Sequence, residues 1–338
     1  MRLPLLLILL LTAVLPRQTL ATTELDEVHR LLSTNLPALG PDDLSAPTVD
    51  ALVVKLSPRV RWAGSETNAV ASGETIAGAR RFPGDLGYLR LSHVSGDVAA
   101  RLETAVDDLQ KQGPLRGLVI DLRFATGRDF PASARASALF FSSAQPVLDW
   151  GDGSLAAPGR TNWFSGPVAL LVNPETRGSA ETLAAALRSA GLGMVIGGKT
   201  AGEAAQWREF ALSSGRVLRL AVAPVKTGDG AVIPVEGLVP DIGVQTTLDA
   251  DRRFLSDPYS SGATSSSGEV TAAMQVRRRL TEAELIRTKR QALGQPELPA
   301  GSTHVAGSDS PPKPTPTVQD PVLARGLDLL TGLNAVRE

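Results

Sequence analysis

The chain has 338 residues, no cysteine, and 34 Lys and Arg against 35 Asp and Glu, which gives a formal net charge of −1. At roughly 100–200 residues per domain, this length predicts one large domain or two modest ones. The balanced charge argues against nucleic acid as a partner, because nucleic-acid binders normally present a basic face. The absence of cysteine excludes disulfides, thiolate metal sites and a cysteine nucleophile. The three histidines, His29, His93 and His304, are too far apart in sequence to suggest a histidine-rich metal site.

The first 21 residues have the three-part pattern of a secretory signal peptide. A basic start at Arg2 precedes an apolar run from Leu5 to Leu15, and Thr19-Leu20-Ala21 offers a small-residue cleavage site. The apolar run is much shorter than the roughly 20 residues that a membrane-spanning helix needs. We therefore expect cleavage near Thr22, export to the periplasm or the medium, and no integral membrane segment afterwards. The alternative is an uncleaved segment that stays as a membrane anchor.

Residues 22–84 are predicted to form a small N-terminal segment that is less than a full domain. Apolar residues at helical spacing predict a helix over 24–37, and a second helix is predicted over 46–56. Pro58 ends the second helix, and Val60-Arg61-Trp62 is typical of a strand.

Residues 85–249 alternate between strands and helices, which predicts an α/β core with a partly parallel sheet and helices packed on it. Two of the strands are almost wholly apolar, as in sheets that are covered on both faces. The predicted strands are 88–91, 118–122, 168–172 and 194–196, the predicted helices are 97–112, 131–142 and 179–190, and strand-like segments follow at 216–222 and 233–244.

Residues 250–338 form a predicted C-terminal extension with a different composition. A strongly charged helix is predicted over 269–293 and a disordered, proline-rich linker over 294–321. A short amphipathic helix over 322–336 is expected to dock on the core.

Four segments in one order resemble the motifs of the tail-specific proteases, also called C-terminal processing peptidases. Each segment is a weak signal alone, but the ordered set with its spacings is specific, and the resemblance covers about residues 85–246. The segments are Gly117 to Gly127, Val168 to Asn173 followed by Gly178-Ser179-Ala180-Glu181, Val195 to Gly202, and Gly237 to Ile242.

The resemblance implies a ClpP/crotonase-like α/β core, and peptide hydrolysis by a serine nucleophile with a lysine general base and no cofactor. A serine hydroxyl becomes a good nucleophile when a neighbouring base takes its proton. A partly desolvated lysine can be that base because burial lowers its pKa, and backbone N–H groups then stabilise the oxyanion. The implied partner is unfolded or extended polypeptide.

The family's catalytic positions fall here on residues that lack this chemistry. The family's serine lies three residues before a helix glutamate, and that position is Gly178; its lysine lies 25 residues later, at Glu203. The first glycine of the oxyanion loop is kept as Gly127, the second is replaced by Arg128, and the next oxyanion donor would be the N–H of Ser179. The sequence therefore predicts a catalytically inactive centre.

Ser179, one place after the missing serine, is the alternative nucleophile. A rearranged site would need a base from Glu203, Lys199 or His93. Adjacent helical residues point about 100° apart, so a shift by one residue aims the hydroxyl elsewhere, and the simpler interpretation of Ser179 is a helix N-cap. Glu203 is most simply a solvated or salt-bridged side chain, and Gly178 a turn glycine before the helix.

Asp121 and Arg123 match the family's Asp-Leu-Arg motif, and we expect them to pair structurally beneath the site. A third class, a carboxylate-based enzyme such as a glycosidase, would need two facing acids. Only proximity along the chain suggests pairing Glu203 with Glu175 or Glu181.

The family usually carries a PDZ domain, which binds substrate C-termini on a sheet edge. Between Trp62 and Gly87 the chain has only about 25 residues, far fewer than a PDZ domain needs, so we expect none. Together these observations predict an exported, inactive family member that acts as a peptide-binding or scaffold protein. They imply no cofactor and no metal, and they specify no oligomeric state.

Overall fold

The computed structural model describes residues 23–36, 38–64, 74–160, 163–259 and 318–337. In these residues the strands are β1 Val60–Trp62, β2 Ile76–Phe82, β3 Leu86–Leu91, β4 Gly117–Asp121, β5 Gln145–Asp149, β6 Ser154–Ala157, β7 Val168–Val172, β8 Gly193–Gly197, β9 Ala205–Ala211, β10 Val217–Pro224, β11 Lys226–Thr227 and β12 Ile242–Gly243. The helices are α1 Glu24–Asn35, α2 Pro41–Leu44, α3 Val49–Leu56, α4 Val98–Gln110, α5 Phe130–Ala138, α6 Ser179–Ser189, α7 Leu248–Ser256 and α8 Pro321–Arg337.

The central sheet of the described residues has the strand order β12-β8-β7-β4-β3-β2. All neighbours are parallel except β2 and β3, which pair antiparallel. Every residue of β4 and β7 is buried, as expected for strands covered on both faces. The predicted α/β class with a partly parallel sheet is therefore confirmed.

Helices cover the two faces of this sheet. Leu118 and Ile120 of β4 point into the main hydrophobic core, which also contains the apolar faces of α4, α5 and α6. On the opposite face α8 lies against β7, where Gly326 is so close that a Cβ there would be 3.2 Å from the Leu171 side chain. The C-terminal helix is thus one layer of the fold.

A second, smaller sheet has the order β1-β10-β9 and carries the N-terminal helices. Val28 and Leu32 of α1 and Leu52 of α3 pack with Leu218 and Leu220 of β10 in a separate apolar cluster. The predicted N-terminal helical segment therefore has its own small core on residues that come much later in the chain. A third sheet, β11-β5-β6, completes the strands of the described residues.

The C-terminal boundary predicted at residue 249 falls inside a helix. α7 runs from Leu248 to Ser256, and Asp251 within it is buried. The backbone N–H of Asp320 donates to the carbonyl of Pro258 at 3.2 Å, so the chain on either side of residues 259–319 meets at one point. The predicted helix over 322–336 corresponds to α8.

Several predictions lie outside the described residues: the signal peptide over 1–21, the charged helix over 269–293, and the proline-rich linker up to residue 317. Within the described residues, none of the helices has the length and apolar character needed to cross a membrane.

Candidate functional site

Gly178 lies in a sharp turn between the end of β7 and the start of α6. It is the N-cap of α6, with φ 57° and ψ −115°, a left-handed conformation that glycine adopts without steric cost. A Cβ built on Gly178 would lie 2.1 Å from the carbonyl oxygen of Gly127. A backbone oxygen thus occupies the space that a nucleophilic side chain would need.

The same carbonyl oxygen also engages the expected oxyanion donor. The backbone N–H of Ser179 donates to the oxygen of Gly127 at 3.0 Å. A Cβ on Gly127 would in turn lie 2.0 Å from the Ser179 Oγ, so the two loops are in close contact. In this arrangement the Ser179 N–H stabilises a protein carbonyl, whereas catalysis needs it directed at a substrate oxyanion.

The Ser179 side chain is fully buried at the first position of α6. Its Oγ donates to the carbonyl oxygen of Val94 at 2.6 Å. The N-cap interpretation of Ser179 is wrong, because the chain leaves the helical conformation one residue earlier, at Gly178. The hydroxyl that the alternative mechanism requires is directed at a backbone oxygen of the loop after β3.

His93 and Lys199, two of the three bases suggested for Ser179, have other surroundings. The Nε2 of His93 lies 3.0 Å from the Thr75 Oγ1, and its Nδ1 lies 3.3 Å from the Ser92 Oγ. Lys199 is exposed on the loop after β8.

Glu203 is held by arginines. Its Oε1 accepts a hydrogen bond from the Arg177 Nη1 at 2.7 Å and lies 3.6 Å from the Arg61 Nη1, while its Oε2 lies 3.7 Å from the Arg219 Nη2. The carboxylate is only 7% exposed. Of the two simple interpretations, the salt-bridged one describes the structure, and the solvated one is wrong because the carboxylate is buried beside arginines of β1, of β10 and of the turn before α6.

An arginine bridges Glu203 and Glu175, one of the pairs that the third hypothesis names. Arg177 binds both Glu175, at 3.0 Å, and Glu203, so a guanidinium lies between them. Both carboxylates are therefore engaged by one arginine, whereas a glycosidase needs two acids that face its substrate.

Glu181 ties the two degenerate positions together. Its buried carboxylate accepts the backbone N–H groups of Gly178 at 2.8 Å, Gly202 at 2.8 Å and Glu203 at 2.7 Å, and the hydroxyl of Thr200. Burial raises the pKa of Glu181, and these four hydrogen bonds oppose the rise. The start of α6 and the loop after β8 are thus fixed to one side chain. The sequence analysis used Glu181 as a spacing marker and as a possible partner of Glu203, and it did not predict this capping role, although a glutamate three residues after the N-cap is typical of a capping box.

Asp121 and Arg123 pair at the carboxyl end of β4. The Arg123 Nη2 donates to Asp121 Oδ2 at 2.6 Å and to Asp320 Oδ2 at 2.7 Å, and its Nη1 lies 3.5 Å from Asp251 Oδ1. The hydroxyl of Tyr88 donates to Asp121 at 2.9 Å, and burial beside that carboxylate raises the pKa of Tyr88. Asp251 and Asp320 were not foreseen, because nothing local in the sequence connects them to residue 123.

In the parts of the chain that the structure describes, no cluster of three His, Asp or Glu side chains has the geometry to hold a metal ion. Around residue 178, the Ser179 hydroxyl, the Ser179 N–H and the Glu203 carboxylate are all engaged by other groups of the protein.

Comparisons with known proteins agree with the motifs. Residues 85–244 match Peptidase family S41. The chloroplastic C-terminal processing peptidase of Tetradesmus obliquus is 30% identical over 175 residues, which cover 49% of this chain and 38% of that protein. The carboxy-terminal processing protease CtpA of Bacillus subtilis is 27% identical over 201 residues, which cover 56% and 42%. The solved photosystem II D1 C-terminal processing protease is 27% identical, with a TM-score of 0.39, over 55% of this chain and 48% of that one.

The chain thus spans about two fifths of the length of these curated relatives, and the matched region is the one that carries the sheet, α6 and the loop of Glu203. The family predicted from the four motifs is confirmed for this region: residues 85–244 match Peptidase family S41, and the chain is similar to C-terminal processing proteases.

Proposed function

We propose that this chain is a catalytically inactive member of the S41 family that binds extended polypeptide as a binding or scaffold protein. The observation that carries the proposal is the occupation of the nucleophile position: residue 178 is glycine, and the Gly127 carbonyl oxygen lies where its side chain would start. Peptide binding by strand addition needs backbone groups and shallow pockets, and it needs no nucleophile.

Two further features support loss of hydrolysis. The base position carries Glu203, which is paired with three guanidinium groups, and the Ser179 N–H is engaged by the Gly127 oxygen. A serine peptidase needs the nucleophile, the base and the oxyanion donor together. All three functions are missing in this arrangement.

The proposal is tested by hydrolysis of casein, an unfolded polypeptide. The purified chain and the variant Ser179→Ala are incubated with labelled casein beside an active C-terminal processing protease as the positive control. We expect no cleavage by either form of this chain. Cleavage by the parent chain that disappears in Ser179→Ala would overturn the proposal and make Ser179 the nucleophile.

Export is proposed on the pattern of residues 1–21 alone. We expect protein recovered from an expressing bacterial host to begin near Thr22 by N-terminal sequencing. Protein that retains Met1 and sediments with membranes would instead support an uncleaved anchor.

A further inference from the structure

The strand β9 forms one edge of the second sheet, and its outer side pairs with no strand of the described residues. Short length and proline are two common protections of an edge strand against the addition of another strand. β9 has neither, because it runs over seven residues, Ala205–Ala211, and contains no proline. The opposite edge, β1, has only three residues. Of the two edges of this sheet, β9 is therefore the better suited to accept a further strand.

The hydrogen-bond register shows which backbone groups of β9 point outward. The N–H of Leu212 donates to the carbonyl of Arg216 at 2.8 Å, just beyond the end of β9, and the register with β10 continues without a shift from there to Trp207. Hydrogen-bonded and non-hydrogen-bonded pairs alternate in an antiparallel ladder, so the even-numbered residues of β9 bond to β10. The N–H and C=O groups of Trp207, Glu209 and Ala211 point away from β10, and no backbone group within the described residues bonds to them.

This outer edge is accessible and starts beside the candidate site. Arg208, Glu209 and Ala211 are exposed, and Trp207 is half-buried. β9 begins two residues after Glu203, which stands at the position of the family's general base, and the Trp207 Nε1 donates to the carbonyl of Glu203 at 3.3 Å. An extended chain along this edge would therefore run toward the position of the family's general base.

Two adjacent residues of opposite charge give this edge a recognisable pattern. Arg208 and Glu209 point to opposite faces of the sheet, because side chains alternate along a strand. On one face Phe210 is the next residue after Arg208, and on the other Trp207 precedes Glu209. Cross-strand pairs of opposite charge and pairs of aromatic with β-branched residues stabilise a sheet. A matching antiparallel strand thus has an acid opposite Arg208, a base opposite Glu209 and β-branched residues opposite the two rings.

A second copy of β9 does not match this pattern. When two identical strands pair antiparallel about a twofold axis, the residue on the axis lies opposite its own copy. Registers centred on Arg208 or Glu209, in the middle of the strand, therefore put like charges opposite each other, which is destabilising. The edge favours a peptide of different sequence over self-association.

We propose that the outer edge of β9 binds an extended peptide by antiparallel strand addition, and that the peptide has the order apolar, basic, acidic, apolar from its N-terminus. The basic residue pairs with Glu209 and the acidic residue with Arg208. The peptide backbone bonds to the outward groups of Trp207, Glu209 and Ala211. This inference rests on the proposed function, and it adds to it the place and the sequence pattern of the ligand.

The first test compares two fluorescein-labelled peptides that have blocked ends and the same composition, Gly-Thr-Val-Lys-Glu-Val-Thr-Gly and Gly-Thr-Val-Glu-Lys-Val-Thr-Gly. Binding to the full chain is measured by fluorescence anisotropy. In the antiparallel register the first peptide places both charges opposite their partners, whereas the second places like charges together. We expect the first peptide to bind about fivefold to tenfold more tightly. The ratio should shrink between about 50 and 500 mM NaCl, because salt screens exposed charges.

Variants connect the preference to β9. The double variant Arg208→Glu and Glu209→Arg exchanges the two charges, so it should prefer the second peptide by a similar factor. Arg325→Glu, which reverses an exposed charge on α8, should keep the preference of the parent chain. Glu209→Pro removes an outward N–H and no bond to β10, and it should weaken the binding of the first peptide by about tenfold. Each variant is first shown to melt like the parent chain.

Amide hydrogen exchange, measured by NMR, locates the bound peptide independently of charge. Saturation with the first peptide should slow exchange at the amides of Trp207, Glu209 and Ala211. The amide of Phe210 already bonds to β10 in the free protein, so its exchange should change little.

The outcomes separate this inference from the function on which it rests. If casein binds but neither peptide does, or if both peptides bind equally and the three outward amides keep their exchange rates, strand addition at β9 is wrong and the peptide-binding function stands. If sedimentation shows a dimer that Glu209→Pro dissociates, a second copy occupies the edge and the inference is also wrong. If neither peptide nor unfolded casein binds, the proposed peptide-binding function itself is overturned.

Discussion

Position 178 combines a left-handed backbone with a neighbouring carbonyl oxygen, and both conditions restrict it to glycine. The φ of 57° disfavours other residues by itself. The Gly127 oxygen, 2.1 Å from the place of a Cβ, adds a contact with backbone that cannot rotate away. A serine restored at this position would therefore displace the oxyanion loop.

This clash can be measured with a matched pair of glycines. Gly191 also has a positive φ, of 69°, but nothing lies within 4 Å of its Cβ position. We expect Gly191→Ala to cost about 1–2 kcal/mol from backbone strain alone, and Gly178→Ala about 1–3 kcal/mol more because of the contact with Gly127. Urea unfolding of both variants measures the difference, and equal costs would show that the loop moves aside freely.

Glu203 neutralises a group of guanidinium side chains. A lysine in its place would therefore be expected to destabilise the fold. Glu203→Lys would place a fourth cation beside Arg61, Arg177 and Arg219. Breaking a buried ion pair by removing one partner costs about 3–5 kcal/mol. We expect urea unfolding to show a loss of this size for Glu203→Lys and a smaller one for Glu203→Gln, which keeps an acceptor oxygen. Equal stability of Glu203→Lys and the parent chain would contradict this role.

At the scale of elements, α1 is held on the second sheet partly by half-buried carboxylates. Glu27 accepts hydrogen bonds from the N–H and the hydroxyl of Ser213, at 3.0 and 2.6 Å, in the turn between β9 and β10. These hydrogen bonds lower the pKa of Glu27 below its ordinary value of 4.5. A lowered pKa in the folded state means that the stabilisation is present above pH 4.5 and is lost as the pH falls through the folded-state value.

The consequence is a pH dependence that one substitution should reduce. We expect the melting temperature of the parent chain to fall between pH 6 and pH 3, and Glu27→Gln to lose less over the same interval while melting lower at pH 6. Asp108→Asn, which removes an exposed acid on α4, serves as the control. Identical pH profiles for Glu27→Gln and the parent chain would show that this contact does not stabilise α1.

The elements that sequence reasoning predicted best are those with the strongest local pattern. β4, β7 and β8 are continuous apolar runs, and the predicted strands match them within one or two residues. β9 was not predicted, because its Gln206-Trp207-Arg208-Glu209 segment is mostly polar and is half exposed in the sheet. β5 and β6 were not predicted either, because they are short strands with exposed ends. α7 was not predicted because its sequence has no apolar stripe at helical spacing.

In the candidate site, too, the features that depend on local sequence were predicted and those that depend on distant contacts were not. The positions of Gly178 and Glu203 follow from spacing along the chain, and spacing is local information. The partners of Glu203 are distant in sequence. Arg61, for example, lies on β1, 142 residues before Glu203. The inward carbonyl of Gly127 depends on how two loops pack, which no pattern within either loop specifies.

At the scale of the whole molecule, Arg123 connects three distant parts of the chain in one buried cluster. Its guanidinium joins β4 through Asp121, α7 through Asp251 and the start of α8 through Asp320. Asp320 also accepts the N–H groups of Val322 and Leu323, at 3.0 and 3.1 Å, so it caps α8 and anchors it at once. The last helix is therefore secured to the sheet by charge as well as by apolar packing.

Substitution of Asp320 should therefore destabilise the protein far more than substitution of an exposed residue of α8. Asp320→Ala removes both the cap and one carboxylate of the buried cluster, and we expect a loss of about 3–5 kcal/mol in the free energy of unfolding. Asp328→Ala, an exposed acid on the same helix, should change it by less than about 0.5 kcal/mol. Urea unfolding and the rate of proteolysis within α8 measure both effects. If Asp320→Ala behaves like Asp328→Ala, apolar packing alone holds the helix.

The hydrogen bond between Asp320 and Pro258 has a consequence for the history of this chain. Because the fold brings residues 258 and 320 together, the two ends of the connecting segment are neighbours in space, as the two ends of a hairpin turn are. Each doubling of the length of such a connection costs only about 0.6 kcal/mol in closure entropy. New sequence can therefore accumulate between α7 and α8, or be lost from there, while the sheet beneath keeps its last helix.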